Sequence, residues 1–423
     1  MTGEGTLGEV RIEDLRDPVR GGIEREIFES TVAMEVDLDP GRLVAEARRR
    51  TGLEDLGDPS LLDRLAAQVA AVDADHGLSG LGRLLLRRRF LGLLSARLRL
   101  EDLTRRYPEA AEVELGPPVI VVGLPRSGTT HLVNLLATDA RLRSLPWWEI
   151  QEPVPVPGDG PGRDGVDPRY VRALREHEAT QDVSPLTRLM HDRPPDSIEE
   201  ECELMDLDLC TYTLEWMARV PGWRDAYLSL DQAPHYAFLR RELQVLSFLR
   251  GPERWVLKCP QHLEQLGPLL AEFPDATIAL TLRDPVAVLQ SAITMLAYGD
   301  RMRRRSIEAD ELARYWADRV ERLLRAAVRD AGSIPPAQRV DVEFRELMAD
   351  DVAMAGSILA AAGLDVTDGC RSGLEAYVAA NPRGRDGRVV YDLRADFGIE
   401  PEELYERYAF YFEAFPQIHR EVR

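Results

Sequence analysis

The chain has 423 residues, 44% hydrophobic and 30% charged, with a mean hydropathy of −0.26 and a formal net charge of −20. That is the balance of a folded protein with a core large enough for two domains. The acidic excess excludes an electrostatic nucleic-acid surface or an anionic membrane as partner. No run approaches the roughly 18 apolar residues of a membrane span, and MTGEGTLGEV lacks the regions of a signal peptide. Cys202, Cys210, Cys259 and Cys370 show neither CxxC pairing nor a metal-ligand spacing with histidine. They predict reduced core thiols, a cytoplasmic protein and no bound metal.

Residues 1–112 predict a helical N-terminal segment. Apolar residues recur at helical spacing over 41–53, over 60–74 with Ser60 as its cap, and over 80–100, where Arg87, Arg88 and Arg89 face solvent. From 113 to 423 the pattern is that of a second, larger domain. PPVIVVGL (117–124) is a short β-branched run that reads as a buried parallel strand, and a helix follows over 130–140. Residues 153–168 form a Pro/Gly loop. Further strands are expected at 255–259, 276–283 and 339–344, each followed by a helix. This alternation predicts an α/β fold with a central parallel sheet flanked by helices. Ligands of such sheets sit beyond the carboxyl ends of the strands, where Arg126, Lys258 and Arg283 fall.

GLPRSGTTHL (123–132) joins the first of these strands to its helix. Gly123 and Gly128 permit a tight turn, Ser127, Thr129 and Thr130 carry hydroxyls, and the N–H groups of the helix start face any anion placed there. The stretch is not GxxxxGK[ST], because no lysine precedes the threonine pair. With Arg126 ahead of SGTT, it resembles the 5'-phosphosulfate loop, PKSGTT or PRSGTT, of the PAPS-dependent sulfotransferases. PAPS is 3'-phosphoadenylyl sulfate. LTLRDPVAVLQSA supplies Arg283 and, eight residues on, Ser291, the spacing with which that family holds the 3'-phosphate.

The resemblance covers most of the chain and is nearest to the bacterial type with a helical N-terminal segment. It implies a P-loop NTPase-like three-layer fold and PAPS as co-substrate, without a metal. It assigns Arg126, Ser127, Gly128, Thr129 and Thr130 to the 5'-phosphosulfate. Arg283 and Ser291, with Arg383, Gly384 and Arg385 of NPRGRDGRVVYDL, take the 3'-phosphate, and Phe344 the adenine. His131 stands where some relatives place a stacking tryptophan.

Of the 53 lysines and arginines, Lys258 is the one lysine. A compact ammonium aims at one leaving oxygen where a planar guanidinium would crowd the sulfonyl group, so Lys258 is expected to stabilise the departing phosphate beside Arg126. Glu149 is the first candidate for the general base, with Trp147 and Trp148 walling an apolar pocket and Glu152 as a neighbour. His262 is the second. The acidic run 191–206 reads as a solvated face on the acceptor side, without chemistry. The expected reaction moves a sulfonyl group from PAPS to a hydroxyl or amine of a small-molecule or lipid-like acceptor, releasing 3',5'-ADP. The rivals are a P-loop kinase and a non-catalytic PAP-binding module. Homo-oligomerisation is left open.

Overall fold

The computed structural model describes residues 8–160, 165–251, 254–384 and 387–422. Six strands are present among them: β1 (Glu9–Arg11), β2 (Gly116–Gly123), β3 (Arg254–Lys258), β4 (Thr277–Leu282), β5 (Arg339–Glu343) and β6 (Arg388–Val390). Strands β2 to β5 form one parallel sheet in the order β3-β2-β4-β5, and β1 pairs with β6 in parallel. The predicted strands of the central sheet recur within a residue or so of their expected bounds, because β-branched runs buried on both faces carry a strong local signal.

Alternation along β2 divides the core. Ile120 and Val122 pack with Leu257, Ile278 and Leu280 against helices Pro285–Arg303 and Ala309–Asp330. Val119 and Val121 pack with Val256, Ala279 and Val342 against helices Thr129–Leu136 and Asp351–Ala361. The register pairs Val121 with Lys258, Gly123 with Thr281 and Leu282 with Glu343, so the strands end at one edge. The loop after β2, Lys258, Arg283 and Phe344 all emerge there.

Several expectations need correction. The helix after β2 ends at Leu136, four residues short of Ala140. Asp139 ends that stretch by accepting the backbone N–H of Arg141 at 3.0 Å. The segment after β3 begins as a 3₁₀ turn, Pro260–Glu264, before helix Leu266–Glu272. Strand β1 lies in a region read as wholly helical, since three residues carry no periodicity.

The helices Pro40–Thr51, Ser60–Ala74 and Gly80–Arg106 stand near their expected places. Ser60 is not the cap of its helix: Asp58 accepts its backbone N–H at 3.0 Å. The arginine triplet is not uniformly solvated either. Arg88 pairs outward with Glu176, whereas Arg89 turns inward to the buried Asp206 and donates to Thr213 at 2.8 Å. The apolar faces of these helices join Cys202, Tyr212, Trp223 and Cys259 in one core cluster, so residues before β2 share a core with residues after it. Among the described residues no helix is long and apolar enough to cross a membrane.

Candidate active site

The loop after β2 is shaped by two residues with left-handed backbones, Arg126 at φ 66° and Gly128 at φ 86°. Glycine adopts this freely, whereas arginine loses about 1–2 kcal/mol. A side chain on Gly123 would meet Thr281 Oγ1 at 1.8 Å, so the close approach of β2 to β4 requires glycine there. Ser127 turns inward: its hydroxyl donates to the Leu124 carbonyl at 2.5 Å and lies 2.7 Å from Thr281 Oγ1. Its side chain ties the loop to β4 and its hydroxyl is engaged there, which leaves its backbone N–H for an anion. Thr129 is buried and Thr130 half-buried at the first turn of the helix.

Arg126 crosses from this loop to the helix after β4. Its Nε donates to Ser291 Oγ at 3.1 Å, and Ser291 donates to the Tyr391 hydroxyl at 3.1 Å. Burial draws the Arg126 pKa down, and among the described residues no carboxylate forms an ion pair with it. Arg283 closes the same group. Its Nη1 donates to the Arg126 carbonyl at 2.6 Å, and its guanidinium lies 3.7 Å from the centre of the Phe344 ring. Phe344 in turn flanks Gly128, where an added Cβ would sit 3.3 Å from its ring. Arg126, Gly128, Arg283, Ser291 and Phe344 are thus brought together from three strand ends. Tyr391, within the NPRGRDGRVVYDL stretch, is an addition to which the resemblance assigned no role.

Two of the loop residues assigned to the 3'-phosphate form no hydrogen bond or ion pair with Arg283 or Ser291. Arg383 donates to Asp351 at 2.9 Å and to the carbonyls of Leu347 and Met348, and His131 meets the same Asp351 carboxylate at 3.0 Å. Gly384, at φ 71°, forms an exposed turn. Arg385 lies outside the described residues.

Lys258 ends β3 with its side chain 1% exposed. Its Nζ donates to Glu200 Oε1 at 2.7 Å, and its backbone N–H to Glu201 Oε2 at 2.7 Å. Burial would lower its pKa, but Glu200 and then Glu199 outweigh that and raise it, so the ammonium persists. Glu199 is itself buried. Desolvation pushes its pKa up, and Arg193 and His191 overcome this and hold it well below the usual carboxylate range. The acidic run is therefore not a solvated face: Glu199, Glu200 and Glu201 converge on the one lysine. Glu200 also stands with Cys202 and Cys259, their ligand atoms within 4.8 Å of one another, a grouping that sequence spacing could not show. Cys202, Cys210 and Cys259 are free and buried, and Cys370 is half-buried.

The two expected bases are elsewhere engaged. Glu149, 2% exposed, accepts from Arg143 and Arg250 at 2.9 Å each. Arg143 stacks over Trp255 at 4.0 Å and pairs with the start of β3, the end opposite Lys258. Trp148 faces Arg169 and Arg250, and Glu152 pairs with Arg172. The structure does not bring Glu149 to Lys258. His262 does lie near Lys258, but its ring is fully buried, and both nitrogens are taken, by the Tyr236 hydroxyl and by Glu201, each at 2.7 Å. We expect Glu149→Gln to lower stability by about 3 kcal/mol, the cost of breaking a buried ion pair. A denaturant titration checks this, and stability within about 0.5 kcal/mol of wild type would contradict it.

Residues 117–368 match the family model described as the sulfotransferase family. The span runs from β2 past β5, and the chain belongs to that family. Among solved structures, the sulfotransferase STF1 from Mycobacterium tuberculosis H37Rv aligns with a TM-score of 0.77 at 27% identity, over 90% of this chain and 99% of that one. The sulfotransferase STF9 from Mycobacterium avium aligns with a TM-score of 0.81 at 22% identity, over 92% and 100%. Both likenesses reach into the helices before β2. Among curated proteins, no relative matches the sequence.

Proposed function

We propose that the protein transfers a sulfonyl group from PAPS to a hydroxyl or amine of a small-molecule or lipid-like acceptor and releases 3',5'-ADP. The observation that carries this reading is the meeting of a left-handed Arg126, which has no carboxylate partner among the described residues, with Arg283 and Ser291 at one sheet edge, beside the end of β3 that bears Lys258. Two guanidinium groups and the N–H groups of a helix start suit a donor with phosphate at both its 3' and 5' positions.

In this reading, the backbone of Ser127 to Thr130 and the Arg126 side chain hold the 5'-phosphosulfate, and Phe344 packs on the adenine. Lys258 gives a proton-rich contact to the oxygen on which negative charge grows as the S–O bond breaks. Glu200 takes the acceptor's proton. Its carboxylate pairs with the Lys258 ammonium, and its side chain is 22% exposed, within reach of solvent and an acceptor. Glu200 replaces Glu149 and His262 in that role. None of these steps uses a metal, and the free thiols suit a reducing, cytoplasmic compartment.

Glu200→Gln keeps the shape and removes the basic oxygen. Turnover with PAPS should fall about 10²-fold or more, as loss of a general base does, while the dissociation constant for 3',5'-ADP stays within about twofold. A retained rate would remove Glu200 from the chemistry. A screen of hydroxyl and amine acceptors with PAPS tests the reading as a whole, with 3',5'-ADP release as the signal. Consumption of ATP–Mg²⁺ in place of PAPS would favour a kinase, and donor binding without release for any acceptor a non-catalytic module.

A further inference from the structure

Three of the side chains assigned to the 3'-phosphate, Ser291, Arg383 and Arg283, are already engaged within the described residues. Ser291 is held by Arg126 and Tyr391, and Arg383 by Asp351. Arg283 carries an anion: its Nε lies 3.0 and 3.2 Å from the two carboxylate oxygens of Glu421, and its Nη2 lies 2.8 Å from Oε2. This is the paired, two-oxygen geometry with which a guanidinium also takes a phosphate.

The carboxylate is delivered by a built contact. Asp284, the cap of the helix after β4, accepts from the Val286 N–H at 2.9 Å with one oxygen. With the other it accepts from the Glu421 N–H at 2.6 Å and the Tyr405 hydroxyl at 2.7 Å. The Tyr405 oxygen accepts the Val422 N–H at 3.0 Å, and Arg420 lies over the Tyr405 ring at 4.2 Å. Residues 420–422 are thereby anchored one residue from Arg283.

We infer that Glu421 occupies the 3'-phosphate position on Arg283 in the free protein, and that the donor must displace it; the inference rests on the proposed PAPS reading. Three of the five guanidinium N–H groups are taken by Glu421 and the Arg126 carbonyl, and one face is covered by Phe344. A phosphate dianion and a carboxylate sharing that guanidinium would repel each other at close range. The pair is also displaceable. Its side chains are 20% and 23% exposed, and ion pairs of that kind are weak, whereas a phosphate brings more charge and more acceptor oxygens. Glu421 therefore sets how strongly the site selects a 3'-phosphate. It weakens ligands that must displace it from Arg283 and leaves ligands without a 3'-phosphate unaffected.

Calorimetric titration of wild type and Glu421→Gln with PAP and with 5'-ADP tests this. The variant should bind PAP about five- to tenfold more tightly, as release of one competing charged contact allows. Its affinity for 5'-ADP, which lacks the 3'-phosphate, should change less than twofold. Glu421→Ala carries the same test should the glutamine variant melt early. Weaker PAP binding would mean that Glu421 holds Arg283 in position, and would overturn the inference. Equal changes for both ligands, or no change, would overturn it as well. A wild type that does not distinguish PAP from 5'-ADP overturns the donor reading first and this inference with it.

Discussion

Lys258→Arg should lower turnover by about 10²-fold or more, the loss seen when one transition-state donor is misplaced, while PAP affinity changes severalfold at most. The substitution keeps the charge, so geometry alone is tested. Lys258 is 1% exposed at the side chain and reaches a single oxygen of Glu200. Arginine is used differently in this protein. Arg319, with no side-chain exposure, bridges Glu215 and Glu264 with paired contacts of 2.5–3.1 Å. A planar fork suits two carboxylates, whereas one leaving oxygen suits a point charge. A guanidinium at position 258 would also have to fit where the end of β3 is closed by Glu199, Glu200 and Glu201. Steady-state kinetics with PAPS, beside a PAP titration of the same variant, check the split. A Lys258→Arg enzyme that keeps most of its rate would make the lone lysine an accident of composition.

Arg283→Ala should weaken PAP by about 10²-fold, two charge-assisted hydrogen bonds at about 1.5 kcal/mol or more apiece. Binding of 5'-ADP should weaken much less. Some loss common to both ligands is expected, because Arg283 also supports the left-handed Arg126 through its carbonyl at 2.6 Å and stacks on Phe344. The ratio of the two affinities separates these roles. A fall in both by the same factor would leave Arg283 as a brace for the loop and deprive the 3'-phosphate of its main ligand.

What the sequence made legible follows from range. The buried strands, the Gly123–Thr130 turn and the Arg283–Ser291 spacing are written in short windows, and the structure brings the glycine turn, Arg283, Ser291 and Phe344 to one edge. Partners far along the chain left no such trace. Lys258 and Glu200 are 58 residues apart, and Arg283 and Glu421 are 138 apart. The run of glutamates looked solvated because composition cannot tell a face that meets water from one that meets a buried lysine. Glu149 looked catalytic from its place after the loop helix. Its two arginine partners, Arg143 and Arg250, and the stacking on Trp255 put it at the wrong end of β3. His262 had the right neighbourhood, but Tyr236 and Glu201 close both of its nitrogens. Strands β1 and β6, three residues each, fall below what periodicity can detect.

In the proposed function the sheet edge recognises a nucleotide by its 3'-phosphate. Titrating the wild-type protein calorimetrically with PAP, 5'-ADP and ATP–Mg²⁺ measures that directly. PAP should bind at least about tenfold more tightly than 5'-ADP, one charge-assisted contact or more, and ATP–Mg²⁺ more weakly than either. Tighter binding of ATP–Mg²⁺, or equal affinity for PAP and 5'-ADP, would contradict that recognition.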